Sequence, residues 1–470
     1  MPRKEHADIA AGRLSAAALA HNFDDVSPPL DRQGALLAAQ RCYYCYDAPC
    51  IQACPTGIDI PSFIKRVSTD NLKGAALDIL GANILGGICA RVCPTEILCE
   101  GACVRNHDAA EPVAIGALQR YSTDWVFEEN AALFQRGPET GRRVAVVGAG
   151  PAGLSCAHAL ARAGHAVTVF DQQDKSGGLN EYGIAAYKVL DFAAREVEWL
   201  LSIGGIEVRC GESLGENLSL AGLRAEFDAV FLGMGLTGVN ALGVEGEALR
   251  GVRNAVDFIA ELRQCDDLNR LSVGRRVVVI GGGNTAIDAA VQSKKLGAES
   301  VSLVYRRGAA TMSATAAEQQ FAKTEGVTVI EWAQPRRVLG NDGAVSAMEF
   351  EYTQLDEQGR LLGTGDVLRL DADTVLKAIG QMLVPPLGGD LQGVTAAATE
   401  TAPAEIREVL EIRNGRIVVN ADYATSLPGV WAGGDCVGGK VDLTVQAVED
   451  GKRAARAIDR ELNQQRARAA

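Results

Sequence analysis

Two kinds of residue in this 470-residue chain are spaced for chemistry: cysteines near its start, and glycines that open two later stretches. Eight of the twelve cysteines fall between Cys42 and Cys103. The first four read Cys42-x2-Cys45-x4-Cys50-x3-Cys54, followed by Pro55. The second four read Cys89-x3-Cys93-Pro94, then Cys99-x3-Cys103. Thiolates in short loops, with proline after the last of a run, match iron–sulfur ligation, where that last cysteine commonly serves a second cluster. Zinc is the alternative. It favours two short C-x2–4-C knuckles feeding one tetrahedral site, whereas this region has one C-x2-C and too many thiols for one ion. The pattern predicts two [4Fe–4S] clusters. The five histidines form no metal-like set.

The first glycine stretch is Gly148-Ala149-Gly150-Pro151-Ala152-Gly153, directly after the apolar run Val144 to Val147. A strand, this G-x-G-x-x-G turn and a helix over Pro151 to Ala163 form the context of a dinucleotide fingerprint. Gly148 permits the tight turn, Gly150 lets backbone approach a pyrophosphate, and Gly153 lets helix pack on strand. The helix N-terminus offers free N–H groups and a positive dipole end to the phosphates. A second strand, Ala166 to Phe170, ends on Asp171, near the usual spacing for an acid that holds a ribose hydroxyl.

The same grammar recurs at Arg276 to Ala286. Here Gly281-Gly282-Gly283-Asn284-Thr285-Ala286 follows an apolar run, with Ala286 in the third glycine's place. Its second strand, Ser300 to Tyr305, ends on Arg306-Arg307 instead of an acid. Arginines suit a 2′-phosphate by charge and forked donors, so this site favours NADP(H) over NAD(H). The alternative is a solvated pair of charges. Two fingerprints of different preference imply two dinucleotides and a flavin reductase architecture.

The elements that must position these residues follow from pattern and length. Residues 1 to about 30 are polar and Ala-rich, a loosely attached helix. Asp31 to Arg41 and Ile60 to Leu85 read as helices that carry the cysteine loops. The second fingerprint sits inside the first. The chain returns at Val375 to Gly380, with Ala378 and Gly380 in the return turn. Val430-Trp431-Ala432-Gly433-Gly434-Asp435 then reads as strand, glycines and acid. A helix from about Leu443 to Asn463 follows, with Thr444 at its start. Asp435 alone is a loop aspartate; in this setting it resembles the flavoprotein motif in which the aspartate binds a ribityl hydroxyl. The helix N-terminus favours negative charge on a reduced flavin. The expected architecture is α/β: a helical iron–sulfur domain over 1–139, an FAD-binding domain split between 140–248 and 378–470, and an NAD(P)-binding domain over 249–377.

Hydrophobic content of 47%, charged content of 22% and a net charge of −13 describe an ordinary globular chain and argue against a nucleic-acid surface. No apolar run reaches the roughly 18 residues of a membrane span, and Met1 to Asp8 hold no apolar signal core. Clustered thiols in such a chain point to metal or redox chemistry, not disulfides. The expected location is the cytoplasm.

Several stretches resemble a known family: Arg41 to Cys50, Cys93-Pro94-Thr95-Glu96-Ile97-Leu98-Cys99, and Gly177-Gly178-Leu179-Asn180-Glu181-Tyr182-Gly183-Ile184. They are similar to the flavin and iron–sulfur subunit of bacterial dihydropyrimidine dehydrogenase, and the module recurs in the glutamate synthase small subunit. The likeness runs from about residue 30 to 460. It implies one cluster on Cys42, Cys45, Cys50 and Cys103, and another on Cys54, Cys93, Cys99 and Gln119, leaving Cys89 as a spare buried thiol. The glutamate synthase branch resembles a glutamate at the position of Gln119. The resemblance also implies that Gly178 and Leu179 lie by the flavin and that Lys188 is the basic residue near it; composition alone leaves Lys188 a solvated surface lysine. It implies hydride transfer from NADPH to FAD and single-electron exit through the clusters, with no acid–base residue from this chain. The chain has no room for the (β/α)8 barrel of about 250 residues that holds FMN and reduces uracil or thymine in this family. That chemistry is expected of an FMN- and iron–sulfur-bearing partner, with a glutamate synthase partner or a ferredoxin-type carrier as alternatives.

Overall fold

A computed structural model of the chain describes residues 8–108, 111–189, 191–384, 409–439 and 442–469. The chain divides into two compact units. One gathers residues up to 26, 182–190 and 239–381; the other gathers 27–181, 191–238 and 382–470.

The second unit begins with helices Arg32–Gln40, Ile60–Ser68, Leu72–Ala82, Gly86–Val92 and Ile115–Glu128. Side chains start three of them, Asp31 accepting from Gly34 N, Asp59 from Ser62 N and Asn71 from Gly74 N. The single helix expected over Ile60 to Leu85 is two. Asp70 takes a left-handed φ of 60° between them, and Asn71 then caps the next start. Phe63, Ile64, Ile79, Leu80 and Leu118 form the core, and Cys42, Cys50, Cys54 and Cys99 pack against its edge.

The same unit contains a five-stranded parallel sheet in the order Ile206–Cys210, Ala166–Asp171, Arg143–Val147, Ala229–Leu232, Val430–Ala432. The fingerprint strand is central and wholly apolar after Arg143, as a strand covered on both faces requires. The last strand joins from some two hundred residues away, pairing Val430 with Val230 and Ala432 with Leu232. Helix Thr444–Ala469 packs along helix Pro151–Arg162. A Cβ on Gly451 would run into Ala152 O, so the two backbones touch there.

The first unit repeats this plan with a parallel sheet in the order Thr328–Ile330, Ser300–Val304, Arg276–Ile280, Thr374–Lys377, Val252–Asn254. A three-stranded antiparallel meander, Ala333–Asn341, Ala344–Leu355 and Leu361–Asp371, precedes the return strand. Residues 8–26 belong with this unit and not with the helical domain expected over 1–139. Ile9 and Ala10 pair with Gly274 and Val273, and Leu19 and Phe23 enter the nucleotide-sheet core. Among the described residues no single helix is long and apolar enough to cross a membrane.

Candidate redox-cofactor sites

The cysteines fall into two neighbourhoods. A cavity beside helix Ile60–Ser68 is lined by Cys42, Cys45, Cys50 and Cys103, with Ile60, Ile64 and Ile115 as apolar wall. Burial, then Cys103 and Cys42, pushes the Cys50 thiol up to about 11. Burial raises Cys42 as well, with Cys45 and Cys103 adding to it. Tyr44, at a left-handed φ of 53°, turns its N–H onto Cys42 Sγ at 3.4 Å. The loop is thus shaped around its sulfurs.

The second neighbourhood holds Cys54, Cys89, Cys93 and Cys99. Cys93 is raised by a thiol hydrogen bond with Cys89, then by burial and by Cys89, Cys99 and Cys54. Burial raises Cys99, with Glu100, Cys54 and, more weakly, Cys50 adding to it, so the two sets adjoin. Crowded neutral thiols of this kind ionise most readily on a metal. Gln119, from helix Ile115–Glu128, is buried. Its Nε2 donates to Gly86 O at 2.7 Å, and among the described residues its Oε1 accepts no hydrogen bond. Among those residues no three His, Cys, Asp or Glu side chains converge as on a single ion; a cubane spreads its ligands more widely than one ion does.

The first fingerprint loop is built at backbone contact. Gly148 has φ 102°, and a Cβ there would run into Gly233 O. A Cβ on Gly153 would run into Gly148 O. Gly150 and Gly178 face each other: a Cβ on Gly178, at φ 54°, would lie 2.7 Å from Gly150 Cα. The cradle therefore brings Gly148, Gly150, Pro151, Ala152 and Gly153 together with Gly178, while Leu179 is exposed beside it. Asp171 is buried; its Oδ2 accepts Ala149 N at 2.6 Å and its Oδ1 accepts Gln173 N at 2.8 Å. Burial raises its pKa and those two amides pull it back.

At the far end of this cradle a Cβ on Gly434 would meet Ala152 Cβ at 2.9 Å. Burial, then Asp442, pushes the neighbouring Asp435 carboxyl up to about 6, against the pull of Arg416. Arg416 Nη1 donates to Asp435 O. Thr444 Oγ1 donates to Asn180 Oδ1 at 2.9 Å, so the buried Asn180 joins the turn after Gly178 to the last helix. No motif marks Asn180 for this role; its place directly after Gly177-Gly178-Leu179 is the one sequence signal.

In the second fingerprint a Cβ on Gly281 would run into Ala378 O, and one on Gly283 would lie 3.1 Å from Ser313 Oγ. Gly380, at φ 92°, turns beside Asn240, whose Nδ2 donates to Gly380 O at 3.2 Å. Helix Asn284–Lys295 starts here with Asn284, Thr285 and Ala286. Asn284 Oδ1 is buried with no partner among the described residues, an acceptor turned to a loop built for a ligand. The second strand ends at Val304, one residue short of the expected end, and Tyr305 follows it. Arg306 beyond it is exposed and Arg307 half-buried. Among the described residues neither guanidinium makes an ion pair.

Lys188 is not a solvated lysine. Its side chain is only 12% exposed, with Nζ 2.8 Å from Asp288 Oδ1 and 2.8 Å from Glu318 Oε1. Burial would lower its pKa, but these two carboxylates outweigh burial and raise it. Asp288 lies on the second fingerprint helix and also accepts Tyr187 OH at 3.1 Å. The structure spends Lys188 on the nucleotide unit's own helices.

Sequence comparison finds two family matches. Residues 19–131 match the family described as dihydropyrimidine dehydrogenase domain II, 4Fe-4S cluster. Residues 142–451 match the pyridine nucleotide-disulphide oxidoreductase family. The NAD-dependent dihydropyrimidine dehydrogenase subunit PreT of Salmonella typhimurium is 34% identical over 449 residues, 94% of this chain and 98% of that protein. The glutamate synthase [NADPH] small chain of Halomonas elongata is 34% identical over 459 residues, 93% of each. Mycobacterium tuberculosis FprA in complex with NADPH shares the fold at TM-score 0.56 and 18% identity, over 71% of this chain and 86% of that one. The chain therefore belongs to the pyridine nucleotide-disulphide oxidoreductases, in the branch of the dihydropyrimidine dehydrogenase and glutamate synthase electron-input subunits, and is an NAD(P)-dependent flavin and iron–sulfur oxidoreductase.

Proposed function

We propose that this chain is the electron-input subunit of a dihydropyrimidine dehydrogenase, working in the cytoplasm, where thiolate ligands stay reduced. It takes electrons from NADPH in preference to NADH, and passes them through FAD and two [4Fe–4S] clusters to an FMN- and iron–sulfur-bearing partner that reduces uracil and thymine. The observation that carries this reading is the pair of cysteine neighbourhoods joined to two fingerprint sheets. Hydride acceptance and single-electron release are the chemistry the flavin and clusters supply when bound; the chain binds and orients.

In this reading Gly148, Gly150, Ala152 and Gly178 leave room for the FAD pyrophosphate, Asp171 steadies the loop and faces the ribose, and Asp435 accepts a ribityl hydroxyl. Arg306 and Arg307 take the 2′-phosphate of NADPH. The PreT relative is named NAD-dependent, so the preference here rests on those two free guanidinium groups. Cys42, Cys45, Cys50 and Cys103 hold one cluster; Cys54, Cys93, Cys99 and the free Oε1 of Gln119 hold the other. Gln119 is also what favours the pyrimidine branch, since the glutamate synthase branch resembles a glutamate there.

The purified chain is expected to reduce an artificial dye with NADPH but to oxidise no NADPH on addition of uracil. Adding the FMN-bearing partner restores uracil reduction. Uracil turnover by the chain alone, or activity restored only by a glutamate synthase large subunit, overturns the reading. The ligand set has its own test. Cys89→Ala keeps about eight iron atoms, the content of two [4Fe–4S] clusters, while Gln119→Leu loses or converts one cluster or shifts its potential. Iron counting with electron paramagnetic resonance decides it; the reverse pattern refutes Gln119.

A further inference from the structure

Two ionisable side chains from the flavin-binding part of the chain, one buried and one half-buried, grip the backbone around the second cysteine set. Glu196 lies on helix Phe192–Leu201, which leads into the edge strand of the flavin sheet. Its side chain is buried, and Oε1 accepts Gly87 N at 2.8 Å and Ile88 N at 3.2 Å. These amides open helix Gly86–Val92, which carries Cys89 and ends at Cys93. A Cβ on Gly87 would lie 2.5 Å from the Phe192 ring and 2.8 Å from Glu196 Oε1, so the contact is made by bare backbone. One residue earlier, Gly86 O receives the Gln119 amide.

Lys452 lies on helix Thr444–Ala469, eight residues and about 12 Å of helix axis beyond Thr444. Its Nζ donates to Ala82 O at 2.6 Å and Thr56 O at 3.2 Å, and pairs with Glu449 Oε2 at 2.6 Å. Ala82 ends helix Leu72–Ala82, and Thr56 Oγ1 is 3.3 Å from Cys54 Sγ. The segment 82–88 is thus held at both ends. An ammonium sits on the carbonyl end of one helix, matching its dipole, and a carboxyl group, which burial pushes up to about 8, accepts the amides that open the next. Withdrawing such polar groups from water costs stability that apolar packing would not, so their use points to a demand for position.

We infer that Lys452 and Glu196 are positioning residues for electron passage between flavin and second cluster. They fix Thr56 beside Cys54, and the Gly86 carbonyl that orients Gln119, relative to the flavin-binding helix. The step they serve is the one in which an oxidised second cluster gains one electron given up by the reduced flavin, with NAD(P)H as the electron source. This rests on the electron-input reading above.

The test uses the cofactor-loaded protein as Lys452→Met, Lys452→Arg and Glu196→Gln. In anaerobic stopped flow with NADPH, Lys452→Met is expected to slow cluster reduction relative to flavin bleaching by about tenfold or more, or to alter the second cluster's paramagnetic signal and midpoint potential. Lys452→Arg, which keeps charge and donors, recovers most of the wild-type behaviour. If Lys452→Met loses only the second cluster's iron while Lys452→Arg keeps it, seating is demonstrated directly. Should Lys452→Met fold poorly, Glu196→Gln must show the altered signal. Wild-type rates, signal and potential in Lys452→Met, or in Glu196→Gln where that variant decides, overturn the inference. Failure of the electron-input reading is separate: it would be seen in the wild type, as missing FAD, missing iron or clusters that NADPH never reduces.

Discussion

The flavin sheet and the nucleotide sheet are two versions of one plan. In each, five parallel strands place the fingerprint strand in the centre and end its neighbour at the glycine loop. Gly148 N donates to Phe170 O in one, and Gly281 N donates to Val304 O in the other. By this register Asp171 and Tyr305 occupy equivalent places. Asp171 is tied down by Ala149 N and Gln173 N. Tyr305 instead lays its ring where a Cβ on Gly282 would be, at 2.6 Å, and its OH donates to Thr311 O at 2.9 Å. The two arginines follow it, and among the described residues neither guanidinium makes an ion pair. The loops differ too: the helix of the first sits so close that Gly153 has no room for a Cβ, whereas Ala286 fits, fully buried. Shared topology sets where a dinucleotide lies. The residue at the strand end and the closeness of the helix set which one.

The sharpest break of this comparison is an exchange at the third fingerprint position. Gly153→Ala drives a methyl into a backbone carbonyl and is expected to cost about 3 kcal/mol and to lose stoichiometric flavin. Ala286→Gly is expected to cost only about 0.5–1 kcal/mol and to keep nucleotide binding. Urea unfolding and the flavin content of the purified proteins measure both; equal effects would mean the two loops are packed alike.

Next in size is the strand-end pair. Losing a charge-assisted hydrogen bond to a phosphate costs about 1.5–3 kcal/mol, so Arg306→Ala and Arg307→Ala should each weaken NADPH use by roughly tenfold or more. NADH use should change far less. Dye-reduction assays with the two nucleotides compare them, and an equal loss with both would remove the arginines from the phosphate site.

The smallest effect concerns the flavin cradle's closing end, where Asp435 stands half-buried. Its folded pKa of about 6 lies above the ordinary carboxylate value. The folded state therefore holds a proton that the unfolded chain releases between about pH 4 and 6, and stability falls as pH rises through that window. In flavin-free protein, Asp435→Asn should gain on the order of 1–2 kcal/mol at pH 7.5 and almost nothing at pH 4. Denaturation at the two pH values checks it, and a gain of the same size at both would clear Asp435 of the penalty.

The parts of this molecule written in short-range pattern were legible in the sequence. Apolar runs entering glycine turns announced both sheets, and cysteine spacing announced the helical domain's chemistry. What stayed hidden depends on partners far apart in the chain. Lys188 meets Asp288 and Glu318, a hundred residues on and more. Leu19 and Phe23 look like part of a polar leader until the nucleotide sheet supplies their core. The break at Asp70 needs a left-handed residue that composition does not disclose. Glu196 and Lys452 carry no motif; only the backbone groups they reach reveal them. The meander over residues 333–371 went unread because its long strands interrupt a parallel-sheet rhythm.

The late arrival of strand Val430–Ala432 has a consequence for how the protein is made. A chain emerging residue by residue can complete the nucleotide sheet once Thr374–Lys377 is out, while the flavin sheet still lacks an edge and its fingerprint helix still lacks the cover of Thr444–Ala469. Domains fold as units during synthesis, and pairing across some two hundred residues is slow. The inserted unit thus matures first and its host last. Flavin capture is therefore expected late: a chain released before its final helix should carry no flavin, whatever its cysteine loops hold.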